Sequence, residues 1–279
     1  MTPAGINDQI ALLEKRGVVI DEEALPRAQR FLLDNGFFRA QQYLEHLPSP
    51  TSWQELQSIA EGDQRLREYL LLGLARVEVT FRSRFAYFFT GHESATAYLS
   101  EGCYREPAEG GRRGSTLTPE GIVDALHSDV ERSKEEFARP HTLHHPIELG
   151  KAVELMSMGT LSKAYDGLAN TAIKTDIAHS FDYEDPALFG AVYRSLTDLR
   201  NRCAHHVRLW NTRPRFAPPM KRELMTGHDP TIYDHTPWAW IVSVSDLIDH
   251  LDSSTDFSNG LSSLLAQTPG LQDGLTHPG

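Results

Sequence analysis

Residues 185–211 read DPALFGAVYRSLTDLRNRCAHHVRLWN. Asp185-Pro186 has the form of a helix start, a capping side chain followed by proline in the first turn. Beyond it Phe189, Val192, Leu196, Leu199, Cys203, Val207 and Trp210 step by three or four. On an ideal helix they fall within roughly 80° of arc, the pattern of a stripe packed on a core. The spacing predicts one helix running through Trp210. Cys203 on that stripe reads as a packed thiol. Asp198, Asn201, His205 and Arg208 fall on the opposite, polar face, with Asn201 and Arg208 within side-chain reach of His205. Asp198 is placed to orient Asn201 or to hold an arginine.

Outward from this stretch the same helical period recurs. Residues 6–16 and 22–46 read as short helices, the second broken near Asn35-Gly36. Ser52, with Glu55 three residues on, is an N-cap signal. Leu66, Leu70, Leu74, Val77, Phe81, Phe85 and Phe88 predict a long helix over about 63–90. Thr118-Pro119 opens another, to about Phe137, after a Gly- and charge-rich loop at 104–117. Helical patterning resumes at 147–157, 160–177, 237–251 and 257–266, and the polar end of the chain is expected to fray. No alternating pattern is long enough to assign a strand. The fold class expected is all-α, as one helical domain over 1–212 and a C-terminal appendage over 213–279.

Composition excludes several function classes. The 279 residues carry a net charge of −11, which argues against indiscriminate nucleic-acid binding. The charge is unevenly spread. Arg194–Arg222 holds eight bases and one acid, a net +7, leaving −18 on the remainder. A basic segment on an acidic body can bind phosphate locally. From Asp229 onward there are seven aspartates and no Lys, Arg or Glu. They read as solvated surface, with a cover over the basic segment as the alternative. The longest apolar candidate, Tyr69–Phe89, is interrupted by Arg76, Glu78, Arg82 and Arg84, so no membrane span is expected. Met1–Gly5 lacks the basic flank and apolar run of a secretory signal. Two cysteines, Cys103 and Cys203, suit a reducing cytoplasm rather than a disulfide framework.

Arg200 and His205 are the residues with chemistry to offer. An imidazole can take a proton from a ribose 2′-hydroxyl or give one to a leaving 5′-oxygen. A guanidinium can hold the phosphate charge that grows in the transition state. Such cleavage needs no metal or other cofactor. On an ideal helix the two side chains stand about 140° apart. Convergence then requires a swung arginine arm, a helix loosened near Cys203, or a second subunit sharing the cleft.

The string Leu199–Asn211 resembles the signature of the Abi-like family, abortive-infection proteins within the HEPN superfamily. Asn35–Ala40, Asp63–Arg67 with Val77-Glu78 and Arg82, Gly159–Ser162, and Ile177-Ala178 are similar to further elements of that family. The resemblance spans roughly residues 7–212. It implies a HEPN-like helical bundle with additional N- and C-terminal helices, commonly dimeric, and a metal-independent endoribonuclease. It makes Arg200, His205 and Asn201 the catalytic set, with Glu78 in support and His206 able to substitute in a looser spacing. Where one branch has tyrosine two residues after the histidine, this chain has Val207, so no such tyrosine is offered to a nucleotidylating partner. RNA, a second copy of the chain, and a regulatory RNA or antitoxin-like protein are the partners implied. A non-catalytic scaffold binding RNA or protein is the alternative.

Other residues have plainer readings beside their sharper ones. Arg194, Arg202, Arg213 and Arg215 are candidates for RNA contact, or solvated charges. Glu78–Arg82 is an i,i+4 ion pair. His141, His144 and His145 read as a connector rather than a metal site, since no cysteine or carboxylate completes a ligand set. Trp238 and Trp240 read as anchors of the last long helix, with base stacking as the alternative.

Overall fold

The structure is a computed structural model and describes residues 5–107, 117–136, 146–252 and 256–279. It is all-α. The helices are α1 (Ile6–Lys15), α2 (Leu25–Asn35), α3 (Phe37–Leu44), α4 (Trp53–His92), α5 (Pro119–Arg132), α6 (Leu149–Ala152), α7 (Met158–Gly167), α8 (Thr171–Ser180), α9 (Pro186–Ala204), α10 (Arg222–Met225), α11 (Pro237–Leu251), α12 (Asp256–Ala266) and α13 (Leu271–Thr276). Two short strands, β1 (Val18–Val19) and β2 (Thr51–Ser52), pair in parallel. No helix among the described residues is long and apolar enough to cross a membrane.

The helix starts are where the capping residues put them. The Ser52 hydroxyl accepts from Glu55 N–H, the Thr118 hydroxyl from Gly121 N–H, and the Asp185 carboxylate from Ala187 N–H. Each satisfies an amide that the first helical turn leaves unpaired. The Ser52 cap opens α4 directly, so the long helix begins ten residues before the apolar run at 63–90 suggested. Elsewhere the period over-ran. α5 stops at Arg132, and the stretch 160–177 is broken into α7 and α8 by an extended turn at Leu168–Asn170, where the Asn170 side chain caps α8.

α4 runs 40 residues through the middle of the bundle. Helices α3, α8, α9, α11 and α12 pack around it. Its stripe Leu66, Leu70, Leu74, Val77, Phe81 and Phe85 is buried in one core with Phe189, Tyr193, Leu196 and Leu199 of α9, and Phe89, rather than the half-buried Phe88 that the period named, completes it. Phe81 stacks on Tyr193 with ring centres 3.9 Å apart. Gly73 lets α11 and α12 approach: a β-carbon there would lie 2.7 Å from the Phe257 ring.

The chain's end is packed rather than frayed. Leu271 and Leu275 of α13 are fully buried. Trp240 of α11, also fully buried, donates its indole N–H to the Ser195 hydroxyl of α9 at 2.8 Å. Trp240 thus anchors the last long helix and has no face left for a base.

Candidate functional site

Helix α9 ends at Ala204, six residues short of the periodic stripe. His205 is its C-cap, and His206 takes the left-handed conformation with φ of 56°. His206 N–H donates to Cys203 O at 3.1 Å and Val207 N–H to Arg202 O at 2.8 Å. This is the Schellman arrangement, which satisfies the last carbonyls of a helix. Two expectations are corrected by it. Val207 leaves the apolar stripe and is 43% exposed. Arg208 leaves the face of His205 and turns inward, donating to Trp210 O and Asn211 O. Cys203 remains on the stripe, and burial pushes its thiol up to about 12, so it is a packed thiol and not a nucleophile.

The left-handed position carries a prediction. An L-residue there is strained by roughly 1–2 kcal/mol, and glycine relieves that strain at some cost in unfolded-chain entropy. His206→Gly is expected to stabilise the fold by about 0.5–1 kcal/mol, and His206→Val to destabilise it by about 1–2 kcal/mol. Thermal melts of the two variants check this; a glycine variant less stable than the parent would contradict it.

One turn before the helix end, Arg200 points toward α4. Its Nε lies 3.4 Å from Glu78 Oε2. Glu78 is nearly buried, and its other oxygen takes Arg82 Nη2 at 2.6 Å. Arg82 Nη2 also reaches Met156 O at 2.9 Å, which ties the carboxylate to the turn before α7. Tyr193 packs beneath, and burial and then the Glu78 charge raise its phenol well above the ordinary range. Arg200 Nη1 donates to Asn201 Oδ1 at 3.3 Å. The guanidinium is therefore gripped along one edge, and 38% of its side chain is open to solvent. Asn201, His205 and His206 are exposed, and among the described residues the His205 ring makes no hydrogen bond. Asp198 holds Arg202 at 3.0 Å, the second of the two roles its spacing allowed.

What stops the helix lies on α4. Asp63 is fully buried. Its carboxylate accepts from Leu209 N–H at 3.2 Å, Trp210 N–H at 2.9 Å and the Tyr43 hydroxyl at 2.7 Å, and pairs with Arg67. Burial alone would lower the pKa of Arg67, but the Asp63 charge and Tyr43 raise it. The arm after the motif is then clamped on both sides. Trp210 stacks on Tyr43 and donates its indole N–H to Gly270 O at 3.0 Å. A β-carbon at Gly274 would overlap that indole. Arg208 Nη2 donates to His46 Nε2 at 3.1 Å, and burial followed by the Arg208 charge lowers the pKa of His46. On the outer side Arg39 of α3 donates to His206 O at 3.3 Å. Sequence spacing gave no sign of Arg39, which is 167 positions away.

A family model described as Abi-like protein matches residues 30–211, from α2 to the end of the clamped arm. The chain belongs to the Abi-like family. No curated protein and no solved structure matches it. Glu78, Arg200, Asn201, His205, His206 and Asp63 fall inside the matched span, whereas Gly270 and Gly274, which pack on Trp210, lie beyond it.

The basic segment of this Abi-like chain is mostly engaged. Arg194 pairs with Asp166 of α7 at 3.0 Å, about three turns of helix before the motif turn. Arg202 lies over the Trp240 ring besides holding Asp198. Arg213 donates to Pro278 O at 2.9 Å. Lys221 bridges Asp182 at 3.3 Å and Asp246 at 2.9 Å, so one of the late aspartates does reach the basic segment. Arg215 is exposed and lies over the exposed Phe216 ring. Among the described residues no group of three His, Cys, Asp or Glu is placed to hold a metal. His141, His144 and His145 lie outside the described residues.

Proposed function

We propose that this Abi-like protein is a HEPN-type endoribonuclease that cleaves RNA through Arg200 and His205. Family membership suggests a function of the abortive-infection type. The observation that carries the finer reading is the held guanidinium: Arg200, gripped at Nε by a nearly buried Glu78, one turn before an exposed, unpaired His205. An arginine fixed on one edge presents its remaining N–H groups in a rigid fork, the geometry that suits a phosphate.

The steps balance without an added group. His205 takes the proton of a ribose 2′-hydroxyl, and the oxygen attacks the adjacent phosphorus. Arg200 stabilises the charge that gathers on the phosphoryl oxygens. The bond to the 5′-oxygen breaks, and that oxygen leaves with the proton that His205 took, which returns the imidazole to its starting state. The products are a 2′,3′-cyclic phosphate and a 5′-hydroxyl. DNA has no 2′-hydroxyl and is not a substrate. Asn201, bonded to Arg200, steadies the fork. The termination of α9 after Ala204 favours convergence, since it frees His205 from the helical angle that sets it away from Arg200. A second copy of the chain and a regulatory RNA or antitoxin-like partner complete the proposal.

Labelled RNA incubated with purified protein in the presence of chelator tests it. The expected result is cyclic-phosphate ends, with rates lowered roughly 10²- to 10⁴-fold in His205→Ala and roughly 10²- to 10³-fold in Arg200→Ala. The second reading, a scaffold without catalysis, is favoured by the number of arginines already engaged by carboxylates and carbonyls. Intact RNA under all conditions, with binding kept in His205→Ala, would establish it instead.

A further inference from the structure

The outer side of the motif turn is formed by α3, and it carries features that the cleavage chemistry does not use. Arg39 contacts His206 O and has no carboxylate partner among the described residues. The residue before it, Phe38, is an aromatic with 58% of its surface exposed. Its ring meets that of Phe37 edge-on at 5.9 Å, and Arg16 lies over Phe37 at 5.6 Å. Arg16 is exposed and likewise forms no ion pair among the described residues. Val207, exposed by the end of α9, stands directly after the histidines. Between Asp34 and Glu45 there is no acidic residue. An open aromatic ring thus lies one residue from the hydrogen bond that joins α3 to the motif, and the buried ring it meets edge-on carries the second uncompensated guanidinium, Arg16.

A stranded polyanion with flat apolar groups matches this surface. Arginine takes phosphate, and any base can stack on a phenyl ring because every base has a π-face. Other large apolar side chains are exposed on this molecule, Tyr87 and Phe216 among them, and what distinguishes Phe38 is its place beside Arg39 and the motif turn. On the ribonuclease reading above, on which this inference rests, we propose that Phe38, Arg39 and Arg16 form a nucleotide-holding subsite. A base flanking the cleaved phosphate stacks on Phe38, and Arg39 and Arg16 hold the neighbouring phosphates. The subsite requires an unpaired base, since a base inside a duplex has no free face to offer Phe38.

The test uses the 279-residue protein carrying His205→Ala, in which cleavage is expected to be too slow to disturb a binding measurement, and a single-stranded oligoribonucleotide containing 2-aminopurine. Phe38→Ala in that background is expected to weaken Kd roughly 5- to 150-fold and to abolish the quenching of 2-aminopurine that stacking causes. Phe38→Tyr retains both. Arg39→Ala is expected to lower the slope of log Kd against log salt by about 0.7, one phosphate contact on a single strand. Melting curves check that substitution of the exposed Phe38 and the half-buried Arg39 leaves the fold intact. Unchanged affinity and quenching in Phe38→Ala, or a change of molecular mass in place of affinity that would make Phe38 a contact between copies, overturns the subsite. Those results leave the ribonuclease reading standing if the wild-type protein cuts RNA. A His205→Ala protein that binds no RNA, together with a wild type that cuts none, overturns both.

Discussion

Asp63→Ala is expected to cost the folded chain about 3–5 kcal/mol, the largest loss of stability from any single polar substitution here. The carboxylate is fully buried and takes four partners, Arg67, the Tyr43 hydroxyl and the amides of Leu209 and Trp210. Removing it strands a guanidinium that is itself only 2% exposed, together with two backbone donors that have no water to turn to. The loss is directional as well as large. With its acceptor gone, the arm at 207–211 is free to leave Tyr43, and the turn bearing His205 and His206 loses its anchor. Urea unfolding measures the first effect, and protease cleavage in the arm measures the second. A drop below about 1 kcal/mol would mean that Arg67 and the amides find other partners. Asp63→Asn keeps the shape and two acceptor lone pairs, so it should fall between alanine and the parent.

Glu78→Ala is expected to be the second heavy loss, and to divide between stability and activity. Glu78 is the shared acceptor of Arg82 and Arg200. Arg82 sits with only 18% of its side chain exposed, so the fold loses about 2–4 kcal/mol when its partner is removed. Arg200 is more open, and its loss is one of aim rather than of solvation. On the ribonuclease reading, RNA cleavage by Glu78→Ala should fall by roughly 10²-fold although Arg200 and His205 both remain. Glu78→Gln should recover most of the stability but little of the rate, because a neutral amide holds an arginine weakly. Measuring rate well below the melting temperature separates the two effects. A Glu78→Ala protein that cleaves at the parental rate would show that Arg200 needs no holder.

Much of the fold was legible because its cues are local. Steps of three and four along α4 and α9 mark the buried faces, and Ser52, Thr118 and Asp185 mark the starts through oxygen atoms a few bonds from the amides they accept. The i,i+4 pair of Glu78 and Arg82 is legible for the same reason. The stopping point of α9 is different. Val207 and Trp210 continue the apolar period, so nothing near them in the chain ends the helix. The amides of Leu209 and Trp210 would be donated within a helix, yet a carboxylate 146 positions earlier takes them instead. No local pattern records that competition.

Arg200 makes the same point from the site. Its distance around the helix from His205 follows from the spacing, but its pairing with Glu78 depends on α4 crossing α9 at that level. Arg39 reaches the motif turn only because α3 folds back over the arm.

By itself, then, the sequence determined an all-α chain of capped amphipathic helices and named the two side chains able to handle a proton and a phosphate. Periodicity and capping are contests between neighbouring residues, so the chain carries them openly. The tertiary structure decided that α9 stops at Ala204, that Arg208 turns inward, and that Glu78 grips Arg200. A buried carboxylate must be satisfied by whichever donors the packing brings to it, and those donors come from far along the chain.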